Sequence, residues 1–163
     1  GAVAPVDIEH SSKGGIKIME EEKKASVKLH NAIQAFLCQT IHENQVPERI
    51  KLFRMTASLQ LQRNLRVLLK EGFRPDLVLR IAEKKIAMLH EATSKAQVES
   101  ILHPPAPYFN GVKFYSSQYL TPEEELIAWS KASESAPLNH WGQKRFEELF
   151  SEIFPQMAQS ILG

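Results

Sequence analysis

One cysteine and seven glycines are all that the 163 residues provide of two types on which much site chemistry depends. A lone Cys38 excludes an intrachain disulfide. Its neighbours Phe36, Leu37 and Ile41 predict burial rather than the basic, electropositive setting that a nucleophilic thiol needs. A reducing, intracellular compartment is expected, the cytoplasm first, with an exported protein free of disulfides as the other option. The glycines form neither a phosphate-cradling loop nor a Gly-x-Ser-x-Gly elbow. No apolar run approaches the roughly 18 residues that span a bilayer, and the first residues lack the basic-then-apolar pattern of a signal peptide. The chain begins at Gly1 rather than Met, so it can be a piece of a longer protein whose address lies elsewhere.

Metal chemistry is equally short of material. Neither His42-Glu43 nor His90-Glu91 is followed by the second histidine of an HExxH helix, and the Glu-x-x-His pair of a di-iron bundle is missing. No catalytic residue, cofactor or metal site is therefore expected, and the chain reads as a non-enzyme.

What is present is an ordinary globular composition, 43% hydrophobic, 24% charged and 8% aromatic. The net charge of +1 conceals an uneven distribution. From Arg49 to Lys95, eleven basic residues face four acidic ones, a surplus of +7. From Thr121 onward seven glutamates face Lys131, Lys144 and Arg145, leaving −4. The chain is a charge dipole.

Apolar spacing is helical almost throughout, and an all-α fold is expected: one domain over residues 18–163, a bundle of five or six helices, behind a flexible leader over residues 1–17 that contains Pro5, Ser11-Ser12 and Gly14-Gly15. Leu29, Ile33, Phe36, Leu37 and Ile41 recur at three-and-four spacing in a first helix from about Met19 to Glu43. A second helix, from about Pro47 to Glu71, carries a main stripe of Ile50, Phe53, Ala57, Leu61, Leu65 and Leu68. A shorter stripe of Leu52, Met55 and Leu59 lies nearly opposite, so its N-terminal half should be sandwiched. Gly72 suits the residue past the helix end, and Pro75 the first turn of a third helix that runs to about Glu91 or Thr93.

Ser94 to Gln97 has the pattern of a reciprocal capping box ahead of a short fourth helix, which the prolines at 104, 105 and 107 stop near His103. Thr121-Pro122-Glu123-Glu124 opens a fifth helix. The last begins near Asn139, and because its seam of Phe146, Phe150, Ile153, Met157 and Ile161 persists past Pro155, a kink near Phe154 is expected rather than a stop.

Residues 103–120 break the helical pattern. Asn110-Gly111 between aromatic flanks signals a β-hairpin near residues 108–115, and Tyr108, Phe109, Phe114 and Tyr115 gather there. These rings either cap the bundle or present anchors to a partner.

On the back of the second helix Arg63, Arg66 and Lys70 recur at i, i+3 and i+7, with Arg74 just beyond. The bland reading is a solvated helix face, or one set against the acidic face of the last helix at Glu147, Glu148 and Glu152. The functional reading is a protein-interaction domain, adaptor or regulatory in kind, that binds another macromolecule through this basic corner and the aromatic loop. The alternative is a nucleic-acid-binding domain in which Arg63, Arg66, Lys70, Arg74, Arg80 and Lys84 contact phosphates. Against it, no aromatics interleave these charges, and the sequence pI is only about 8.0. The stripe of Leu52, Met55 and Leu59 belongs to the core unless nothing covers it, in which case it becomes a groove or a dimer surface.

Overall fold

A computed structural model of the chain describes residues 12–104 and 118–162, apart from the side chains of residues 12–16 and 162. The fold is all-α, with seven helices and no strand among the described residues. They are α1 (Ser12–Ile41), α2 (Glu48–Lys70), α3 (Pro75–Glu91), α4 (Lys95–Leu102), α5 (Pro122–Ser135), α6 (His140–Ile153) and α7 (Pro155–Leu162). Helices α1 to α4 belong to one compact unit and α5 to α7 to another. The hairpin expected near residues 108–115 lies outside the described residues, as does the leader up to residue 11. Helix α1 already begins at Ser12, so it takes in the end of the segment expected to be flexible.

In the first unit α1, α2 and α3 pack against one another, and α4 lies against α2 and α3. Ala25, Leu29, Ile33 and Phe36 follow one another at four, four and three residues along α1 and are all buried. Removing each such leucine or phenylalanine from water contributes about 2 kcal/mol before conformational entropy is counted. Ala57, Leu61, Leu65 and Leu69 of α2 are buried likewise, as are Leu77, Val78, Ile81, Ala82 and Leu89 of α3. Phe36 meets the His90 ring edge-on at 4.7 Å between centroids, tying α1 to α3.

Cys38 is exposed, contrary to the burial its neighbours suggested. It lies two residues, about 200° of helix rotation, from Phe36, and Ile41 beside it is 54% exposed. Apolar residues close in sequence thus point to both sides of α1.

Three cations of the basic segment face inward and cap helix ends. Helix C-termini leave carbonyls without intrahelical donors and carry partial negative charge. Lys51 donates to the Ile41 carbonyl at 3.3 Å at the end of α1, and to Glu48 at the same distance. Arg54, only 4% exposed, donates twice to the Ala92 carbonyl just past α3, at 2.9 and 2.6 Å, and once to Glu43 at 3.3 Å. Lys85, 1% exposed, donates to the Ile101 carbonyl in α4 at 2.8 Å. Of the eleven basic residues between Arg49 and Lys95, these three serve the interior. Eight then remain outside against four acids, which reduces the surplus there to +4.

Local signals set the helix boundaries. Past α2, Gly72 adopts φ 92°, Phe73 N–H donates to the Leu68 carbonyl and Gly72 N–H to that of Leu69, each at 3.2 Å. That is a complete Schellman ending, with Phe73 buried behind it. At Ser94 the box closes only by half. The serine oxygen accepts from Gln97 N–H at 3.2 Å, but the Gln97 side chain accepts from Thr93, one residue earlier than a reciprocal box requires.

In the second unit α6 packs on both α5 and α7. Thr121 and Glu124 form the full capping box of α5. Asn139 caps α6 by accepting from Gly142 N–H at 2.8 Å. The indole of Trp129 packs edge-on against Trp141 at 5.6 Å. Glu125, buried on α5, accepts from Trp129 Nε1 at 3.2 Å and from Arg145 of α6 at 2.6 and 3.0 Å. That hydrogen bond holds the Arg145 guanidinium above its ordinary pKa despite partial burial, and the charges of Glu125, Glu148 and Glu152 reinforce it. Glu125 is therefore a structural carboxylate rather than part of an acidic outer face.

The last two helices correct the expected kink. Phe154, at φ −127° and ψ 64°, leaves the helix altogether, and Pro155 opens α7. A proline disfavours helical geometry in the residue before it, yet its ring suits a first helical turn.

Candidate interaction surface

Helix α2 has 23 residues and α4 has eight, so the two extend about 34 Å and 12 Å at 1.5 Å per residue. The short helix covers only part of the long one. Between them runs an open groove of about 910 Å³, lined from α2 by Leu52, Phe53, Thr56, Ala57, Gln60 and Arg63 and from α4 mainly by Lys95, Val98, Glu99 and Leu102, with His103 at its end. Ala57 and Val98, one from each helix, are almost fully buried in this lining. Leu52 stands 62% exposed on the α2 wall.

The expected sandwiching of α2 fails along its shorter stripe, of which Leu52 lines the groove and Met55 and Leu59 do not. Leu52 and Leu59 are exposed and Met55 is half-buried. The buried side of α2 instead includes Lys51, Arg54, Ser58 and Gln62, whose polar atoms are satisfied from within the unit.

Cations stand around the apolar groove. The Arg49 guanidinium carbon lies 5.5 Å from the Phe53 ring centroid and Lys95 Nζ lies 5.7 Å from it, both within cation–π range. Arg63 donates to Gln60 at 2.7 Å, and Gln60 in turn to Asn64 at 2.8 Å, so the guanidinium is held along α2 rather than by a carboxylate. Among the described residues the one acid in the lining is Glu99, 4.0 Å from Lys95, with both side chains well exposed. Such an exposed pair contributes under about 1 kcal/mol, so Lys95 can exchange it for a partner's carboxylate.

The basic residues singled out in the sequence do not share one surface. Arg63 faces the α2–α4 groove. Arg66 and Lys70, exposed and without an ion pair among the described residues, line a smaller cleft of about 250 Å³ with Glu22 and Ser26 of α1. Arg74 pairs with Asp76 at 3.0 and 3.2 Å, and both line a third depression with Glu21, Lys24 and Lys28. Arg80 and Lys84 are each engaged within the chain. Tyr108, Phe109, Phe114 and Tyr115 lie outside the described residues. The acids Glu147, Glu148 and Glu152 belong to the second unit.

Phe53, Lys95, Val98, Leu102 and Arg49 were not marked as site residues in the sequence. Phe53 falls on the same stripe as Ala57 and Leu61 and so reads as core. The available signal was the mismatch in helix length, since an eight-residue α4 cannot cover α2. Among the described residues no three His, Cys, Asp or Glu side chains gather as a metal site would require, and no helix is long and apolar enough to cross a membrane.

No family model, no curated protein and no solved structure matches this chain.

Proposed function

We propose that the α1–α4 unit is a protein-interaction domain, non-enzymatic and of adaptor or regulatory kind, and that its binding surface is the α2–α4 groove. The observation that carries this reading is the groove's make-up: exposed Leu52, half-buried Phe53 and Leu102 on apolar walls, with Arg49, Arg63 and Lys95 around them. Apolar and aromatic anchors supply affinity in such surfaces, while peripheral charge orients the partner and speeds encounter. The basic corner of the sequence contributes through Arg63. Nucleic-acid binding is less well supported, because Arg66 and Lys70 share their cleft with Glu22, Arg74 is committed to Asp76, and the cations occupy three separate surfaces.

A photo-crosslinking side chain placed at position 52, with a control at exposed Val27 on α1, tests the reading in lysate. A protein adduct specific to position 52 and insensitive to nuclease is expected. Nuclease-sensitive adducts, or equal yields from both positions, contradict it.

A further inference from the structure

We infer that the occupant of the α2–α4 groove is an acidic amphipathic helix of a partner protein, with three apolar anchors spaced i, i+4, i+7 on the face it buries. The inference rests on the interaction-domain reading above and specifies the partner's chemistry.

Secondary structure is set by what the groove can offer a backbone. Its walls are side chains of two helices: along α2 the backbone groups are spent on intrahelical hydrogen bonds, and at the ends of α4 Ser94 accepts from the Gln97 and Val98 N–H groups while the Glu99 and Ile101 carbonyls accept from His103 N–H and Lys85. An extended peptide draws its affinity from main-chain hydrogen bonds to a sheet edge, and no strand exists among the described residues. Laid against Leu52, Ala57, Val98 and Leu102, it would bury unpaired backbone groups, each a loss comparable to that of a hydrogen bond. A helix satisfies its own backbone and presents only side chains.

Length follows from geometry. Leu52 to Arg63 on α2 covers about 16 Å and α4 about 12 Å. Anchors at i, i+4 and i+7 span about 10.5 Å along a docked helix, so three fit and a fourth a full turn further on would overrun α4.

Charge selects the sign. Among the described residues three cations, Arg49, Arg63 and Lys95, stand around the groove, and Glu99 is the single acid in its lining. Lys95 and Arg49 flank Phe53, while Arg63 lies ten residues further along α2 than Phe53. Glutamates or aspartates on the solvent-side edges of the docked helix can meet both groups, whereas a basic helix would be opposed at each.

The test is an unbiased display selection. A random 16-residue peptide library is selected on the full chain, with the Leu52→Glu variant for counter-selection, and each recovered peptide is then measured by fluorescence anisotropy and circular dichroism. Because Leu52 is exposed, the substitution leaves the fold intact, which the variant's own melting curve verifies. Acidic peptides with apolar residues at i, i+4 and i+7 should emerge and gain helicity on binding. They should lose at least about tenfold in affinity on Leu52→Glu and weaken as salt is raised. Peptides that depend on Leu52 but are basic, proline-rich or extended overturn the inference while leaving the interaction-domain reading in place. Recovery of no Leu52-dependent peptide overturns both.

Discussion

Lys84 and Lys85 are adjacent in sequence, yet the first is exposed on α3 and the second is 1% exposed and bonded to the Ile101 carbonyl. Methionine can replace the aliphatic stem of either but not the ammonium donor. Lys85→Met should therefore lower unfolding stability by about 2 kcal/mol by orphaning a buried carbonyl, while Lys84→Met, which removes an exposed and solvent-screened interaction, should cost less than about 1 kcal/mol; urea denaturation of the two variants decides it. The distinction was partly legible in the sequence, since Lys85 falls four residues after Ile81 and four before Leu89, within the apolar stripe. What the stripe could not indicate was which carbonyl the ammonium would reach, because that depends on where α4 docks. The same applies to Glu125, whose partner Arg145 is 20 residues away on another helix. Gly142 makes a second residue-scale case. A Cβ there would lie 3.0 Å from Trp129 Cζ3 and 3.3 Å from the capping Asn139 Oδ1. Gly142→Ala should cost about 1–2 kcal/mol through overpacking, despite alanine's better helix propensity, with a loss of near-ultraviolet tryptophan ellipticity as its signature.

At the scale of the element, the caps governed what could be read in advance. Gly72, Ser94, Thr121 and Asn139 were recognisable as boundary residues because their side chains, or the lack of one, solve a local hydrogen-bonding or steric problem. Gly72→Ala should destabilise the unit by about 1–2 kcal/mol, since alanine must be forced to φ 92° to keep the Schellman bonds. A shift in the thermal midpoint, with the helical ellipticity of the native state unchanged, would verify it. Phe154 was misread for a physical reason. It accepts from Ala158 N–H at 2.8 Å and donates to the Phe150 carbonyl at 2.9 Å, so four-residue bonding and the apolar seam continue on both sides of a residue that is itself non-helical. Periodicity alone cannot detect a one-residue interruption that preserves both phases. The groove was illegible for the opposite reason: each helix was foreseen, but the mismatch between α2 and α4 becomes a surface only once they are packed.

For the whole molecule, the charge dipole of the sequence overstates what a partner meets, because Lys51, Arg54 and Lys85 are consumed at helix ends and Glu125 is paired with Arg145. Charge that remains at the groove should act on association more than on stability. Reversing Arg63 and Lys95 together to glutamate should shift unfolding free energy by less than about 1 kcal/mol. It should slow association of an acidic helical peptide and abolish most of its salt dependence, as stopped-flow measurements at two ionic strengths would record. The most direct measurement of the central claim is a methyl NMR titration of the full chain with such a peptide, its leucines at i, i+4 and i+7. The account predicts shifts concentrated in the methyls of Leu52, Ala57, Val98 and Leu102, with Leu29 and Ile33 of α1 unmoved; shifts confined to the α1 side, or none at saturating peptide, would contradict it.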